Sequence, residues 1–200
     1  MATTFGRTQV DEPVRLRFDG IDGDEVGDPS VHGGDERALL CYARSNYEFW
    51  SERLNITYAQ AFASGFGENL TVDGVSEHDI CVGDRFELGT AIVEVAQPRS
   101  PCWKIGAYWN VSTLTKEVYR GGRSGWFLRV KQEGVFAVSD RLLLVDRPYP
   151  QFTIQALNDA IVELETHRNE SELDFDFVKA VAQCPALSPG WRTAFAQALS

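Results

Sequence analysis

At 200 residues, with 44% hydrophobic and 12% aromatic composition, the chain can bury a sizeable core, as one large domain or as a main domain with a small appendage. A formal net charge of −10 repels the phosphate backbone of duplex nucleic acid and excludes a general DNA binder. The first twenty residues hold no apolar run of signal-peptide length, no later stretch is long enough to span a bilayer, and Cys41, Cys81, Cys102 and Cys184 form no close pair. A cytoplasmic protein without disulfides and without a membrane is therefore expected.

Val14-Arg15-Leu16-Arg17-Phe18 alternates apolar and basic residues, which predicts a half-buried strand turned by the segment 20–24. Residues 27–37 read as a loop. From Ala38, the spacing of Leu39, Leu40, Ala43, Tyr47, Trp50 and Leu54 predicts one amphipathic helix. Short strands follow at Leu70–Val72, Arg85–Leu88 and Ala91–Val95, the last two joined by a Gly89-Thr90 hairpin turn. Asn110 is expected to cap a short helix through Val111, Leu114 and Val118 that ends near Gly121-Gly122. Strands return at Trp126–Val130, Val135–Val138 and Leu142–Val145.

The count of six or seven short strands predicts a closed or nearly closed barrel. After Pro148-Tyr149-Pro150 the periodicity is helical. Ile154 to Leu164 and Phe175 to Ala182 mark two helices, and Ser188-Pro189 starts a third, with the Ser188 hydroxyl expected as its N-cap. These three helices are short, so they must dock on one another and on the barrel. The expected class is β-rich α+β, divided into a barrel domain at 1–147 and a three-helix extension at 148–200.

The chemistry points to Cys102. In Gln97-Pro98-Arg99-Ser100-Pro101-Cys102-Trp103-Lys104, two prolines stiffen the loop after a strand. Arg99 and Lys104 bracket the thiol with positive charge, which favours thiolate. The bland alternative is a small buried hydrophobe, the reading adopted for Cys41, Cys81 and Cys184. Residues 85–131 hold eight Lys or Arg against three Glu, a local net charge of +5 that suits either solvated faces or a pocket for a small anion such as a phosphate group. The four cysteines and His32, His78 and His167 lack zinc-ligand spacing, and there is no dinucleotide fingerprint or Walker loop.

His32-Gly33-Gly34 with Arg37-Ala38, Phe66-Gly67-Glu68-Asn69-Leu70, Gly83-Asp84, the 97–102 string and Gly122-Arg123-Ser124-Gly125-Trp126 together resemble the MOSC domain, most closely its YiiM branch. The C-terminal segments Phe152-Thr153-Ile154-Gln155, Leu157-Asn158-Asp159-Ala160 and Leu187-Ser188-Pro189-Gly190-Trp191 resemble that branch's three-helix extension. The resemblance implies a β-barrel that holds a molybdenum cofactor (molybdopterin), with Cys102 as metal ligand and catalytic centre. His32, Asp35, Arg37, Asn69, Arg99 and Ser100 would line the cofactor. Asp35-Glu36 departs from the Pro-Asp common before the family's arginine, so which carboxylate takes the family role stays open.

The activity implied is reduction of N-hydroxylated compounds, including N-hydroxylated purine bases such as 6-hydroxylaminopurine, with electrons from a separate flavin or iron–sulfur protein. An alternative from a different class is a persulfide sulfur carrier that uses Cys102, and a third is a non-catalytic binder of small anions or nucleobases.

Overall fold

The apolar–basic alternation of Val14–Arg17 (β1) buries Leu16 and leaves its arginines outside, in a computed structural model that describes residues 7–24, 33–54, 64–166 and 174–199. β1 turns into Gly20–Ile21 (β2) and pairs on its other side with Gly134–Phe136 (β8), giving a three-stranded sheet in the order β2-β1-β8.

The larger sheet has six strands in the order β4-β3-β7-β6-β5-β9: Leu70–Val72, Leu39–Ala43, Trp126–Gln132, Ala91–Pro98, Arg85–Leu88 and Leu142–Asp146. Only β3 and β4 run parallel. The two-residue hairpin at Gly89-Thr90 forms as expected, with Gly89 at φ 59°. Irregular register between β6 and β7 at Ile92/Val93 and Val95/Gln97 adds the bend that curls the sheet into a half-barrel. β4 and β9 remain its edges, and nine strands are found among the described residues where six or seven were expected.

Two expectations about helix placement fail for identifiable reasons. The helix predicted from Ala38 is a strand through Ala43, and the helix α1 occupies Arg44–Leu54. All five residues of β3 are buried, and a short, wholly apolar run has no outer face with which to distinguish a strand from a helix turn. Asn110 caps the other end of a different helix, Lys104–Trp109 (α2). It sits in the left-handed region at φ 53°, its N–H donating to the Ala107 and Gly106 carbonyls, while Thr113 precedes Leu114–Arg120 (α3). Asparagine tolerates that conformation better than other non-glycine residues, so the same residue type serves either end.

The C-terminal helices Ile154–Thr166 (α4), Phe175–Ala182 (α5) and Pro189–Ala198 (α6) stand where periodicity placed them. The Ser188 hydroxyl does not cap α6. It is buried without a hydrogen-bond partner among the described residues, and the Ser188 N–H donates instead to Ala96 O at 3.0 Å.

The three helices dock on the sheet as their shortness requires. Phe152, Ile154, Leu157, Val181, Leu187, Trp191 and Phe195 join Val93, Val95, Trp126 and Leu128 in one continuous core. A second, smaller cluster of Tyr42, Tyr47, Trp50, Phe66, Ile105, Leu114 and Val118 lies among α1, α2, α3 and the end of β3. No helix of the described residues is long and apolar enough to cross a membrane.

Candidate functional site

The pairing register brings the C-terminal ends of β3 and β6 to the start of β7, since Cys41 and Pro98 both stand opposite Trp126. The loop that leaves β6 carries Arg99, Ser100, Pro101 and Cys102 across this end of the sheet. It is pinned at 3.0 Å by the Arg99 N–H donating to Gly125 O. Cys102 then enters α2. Its carbonyl accepts from Ile105 N at 3.1 Å and from Thr115 Oγ1 at 3.3 Å, so α3 fixes the turn on which the thiol sits.

Exposure separates this cysteine from the others. Cys41, Cys81 and Cys184 are buried, and burial pushes the thiols of Cys41 and Cys81 up, whereas Cys102 is partly open to solvent. Trp103, the next residue along the chain, is 59% exposed.

Beneath the thiol lies an unusual cation. Arg99 is only 7% exposed, and its Nη1 has no hydrogen-bond partner among the described residues. Burial lowers the pKa of the guanidinium, opposed by its acidic neighbours, Cys102 first and then Tyr42, Glu68 and Tyr47. A buried orphan N–H costs about 1–3 kcal/mol, which an anionic ligand would offset.

Glu68 helps to balance the cation. The Tyr47 hydroxyl donates to its Oε1, which also accepts from Thr71 Oγ1 at 3.2 Å, and Phe66 N–H donates to Oε2 at 3.2 Å. Tyr47 is raised by burial first and by Glu68 second, so its hydroxyl stays protonated and serves as a donor.

A glycine-rich turn closes the other side. Gly122 and Gly125 have φ of 67° and 82°, and a Cβ on Gly125 would collide with Cys41 O. Between them Arg123 lies over the Phe49 ring, 4.4 Å from its centroid, and donates from Nη1 to Asn46 Oδ1 at 3.1 Å. The Tyr42 hydroxyl donates to Arg123 O at 3.2 Å. Ser124, 1% exposed, leaves its Oγ without a partner among the described residues.

The sequence-derived candidates fall into three groups. Arg99, Ser100 and Cys102 share the loop just described, with Ser100 exposed. Asn69 stands at the head of β4, where its Oδ1 accepts from Leu40 N and its Nδ2 donates to Asp24 Oδ2, both at 2.9 Å. Asp35 and Arg37 occupy a short 3-10 turn before β3, with the Arg37 guanidinium 5.8 Å from the Phe127 ring centroid. His32 lies outside the described residues.

Sequence reasoning missed Glu68, Glu77, Asn46, Arg123 and Ser124. Glu68 and the 123–124 pair were inside quoted motifs, and their buried polar chemistry was the signal available. Among the described residues no group of three or more His, Cys, Asp or Glu side chains is placed to hold a metal ion.

The chain matches the MOSC domain family over residues 28–143. It is 35% identical over 145 residues to Protein YiiM of Escherichia coli (strain K12), covering 72% of this chain and 65% of that protein. It is 35% identical over 150 residues to a protein named Reductase from Gibberella moniliformis (strain M3125 / FGSC 7600), covering 74% of this chain but 26% of the fungal one. Among solved structures, YiiM from Geobacillus stearothermophilus superposes with a TM-score of 0.78 at 32% identity, over 96% of this chain and 86% of that one.

Proposed function

The chain belongs to the MOSC domain family, and on that premise we propose that it is a molybdenum-cofactor-dependent reductase of N-hydroxylated compounds, with Cys102 as the protein ligand to the metal. The observation that carries this reading is the partly open Cys102 thiol beside the buried, unsatisfied guanidinium of Arg99. The residues present fit the cofactor. A single soft thiolate donor suits a metal whose other ligands come with the group itself, and the orphaned Arg99 Nη1 and Ser124 Oγ offer hydrogen bonds to an anionic ligand.

When bound, the cofactor supplies two-electron oxygen-atom chemistry; the reaction takes R–NH–OH with two electrons and two protons to R–NH2 and water. The chain's own residues do the rest. Cys102 Sγ anchors the metal, and Thr115 and the turn into α2 hold that sulfur in place. Arg99, buried at low dielectric, contributes a cation that water does not screen, and the Glu68–Tyr47 pair keeps its field balanced. Exposed Trp103 offers a face on which a planar base stacks as it approaches the thiol. The electron donor is a separate flavin or iron–sulfur protein.

Cys102→Ala is expected to abolish reduction of 6-hydroxylaminopurine and to lower the molybdenum content of protein expressed with molybdate. Wild-type rates in that variant would refute the ligand role. A sulfur adduct on Cys102 after incubation with a cysteine desulfurase, in protein that never takes up molybdenum, would support the persulfide carrier instead.

A further inference from the structure

β9 is the last strand of the six-stranded sheet, paired with β5 on one side and with no strand on the other among the described residues. The open donors and acceptors of such an edge are a template for another strand, and soluble proteins blunt them with lysine, proline or an inward-pointing charge. Leu142-Leu143-Leu144-Val145 carries none of these. Leu143, Leu144 and Val145 are 52%, 47% and 51% exposed, an apolar row on open backbone.

The register with β5 fixes the face each residue occupies. Asp146 stands opposite Arg85, Leu144 opposite Phe86, Leu143 opposite Glu87 and Leu142 opposite Leu88, with a one-residue slip that leaves Val145 as a bulge. Residues opposite one another share a face, and on β5 Arg85 and Glu87 are exposed while Phe86 and Leu88 are buried. Leu142 and Leu144 therefore lie on the core face. Leu143 and Asp146 lie on the outer face, where alternation also puts Arg141. Leu144 stays half-exposed although it faces the core, because among the described residues no strand lies beyond β9 to cover it.

The bulge makes this edge complementary to itself. In an antiparallel pair about a two-fold axis, each residue must meet one on the same face. In a regular strand Arg141 and Asp146, an odd number of residues apart, would point to opposite faces, and the extra residue Val145 brings them to one. With Leu143 on the axis, Leu142 meets Leu144 of the second copy and Arg141 meets its Asp146. Within its own chain Asp146 reaches only Arg85, at 3.7 Å, and Arg141 makes no ion pair among the described residues.

We infer that β9 is the docking edge for a second copy of this chain, paired antiparallel about a two-fold axis at Leu143, with Arg141 and Asp146 closing the register at both ends. The pairing joins two six-stranded sheets and covers the exposed leucines of both copies. One short strand is a small interface, so a Kd of about 1–50 µM is expected.

The test is sedimentation equilibrium of the full chain over a concentration series reaching about 200 µM, where the wild type is expected to pass from monomer to dimer. Leu143→Lys sets two like charges against each other on the axis and is expected to stay monomeric throughout. Arg141→Asp and Asp146→Arg are each expected to weaken the dimer at least tenfold, since each creates two like-charged pairs across the interface. Mixed in equal amounts, these two single variants are expected to associate with near wild-type strength, because opposite charges then meet at both ends. All three positions are exposed, and circular dichroism matching the wild type checks that each variant folds.

A wild-type chain that stays monomeric throughout would overturn the inference in favour of a different protein at this edge. A dimer that persists in Leu143→Lys, or a mixture of the two charge variants that does not associate, would overturn it as well.

Discussion

Arg99 shows how a single side chain marks the site. It is carried into the protein at a desolvation cost and left with an orphan N–H, an arrangement that weakens the fold and favours an anionic ligand. Arg99→Met is therefore expected to leave thermal stability unchanged or raise it by about 1 kcal/mol, while cofactor retention falls at least tenfold; parallel thermal melts and molybdenum analysis check this. Glu77 supplies a pH signature. Its pKa is raised by burial above all, against hydrogen bonds from the backbone and Asn46 and the charge of Arg123. The folded state then holds the proton to higher pH than the unfolded chain, so this group favours folding most at low pH, and its contribution is lost as pH rises through the folded pKa. Glu77→Gln is expected to flatten the fall in stability with rising pH just above the ordinary carboxylate range, measured by denaturant titration at stepped pH. Cys102 was legible in sequence because prolines and cations bracket it. Glu77 and Asn46 were not, because they matter only through partners 31 to 77 residues away along the chain.

At the scale of elements, β3 and the turn before β7 locate the site. The turn depends on glycine where φ is 82° at Gly125, and any Cβ there meets the Cys41 carbonyl. Gly125→Ala is expected to cost roughly 3 kcal/mol or to displace the turn, seen as a lower midpoint of thermal unfolding. Strands with one wet face were readable from alternation, and so were the three C-terminal helices, whose apolar stripes repeat at helical spacing. β3 was not readable. Leu39–Ala43 is buried throughout, so it carries no polar residue to set a period, and the apolar residues of α1 continue its spacing by chance. α2 was hidden for a related reason: six residues with a glycine in the middle and an asparagine just past the end carry too little pattern to separate from a loop.

For the whole molecule, the packing runs continuously from the sheet into the C-terminal helices. Ser188 donates to Ala96, Arg129 Nη2 donates to Ala186 O at 2.6 Å, and Phe195 and Trp191 share a core with Val93 and Leu128. Residues 1–147 expressed alone are expected to lose cooperative unfolding, because removing 148–200 bares one side of that core. Phe195→Ala in the full chain is expected to cost about 3–5 kcal/mol in denaturant unfolding, as for a core aromatic rather than a helix on the surface. The same continuity holds the end of β6 in place, and with it the loop that presents Cys102. The most direct measurement of the central claim is X-ray absorption at the molybdenum edge on the loaded wild type and Cys102→Ser. The account predicts one sulfur neighbour fewer at the metal in the variant. An identical sulfur shell in both proteins would contradict it.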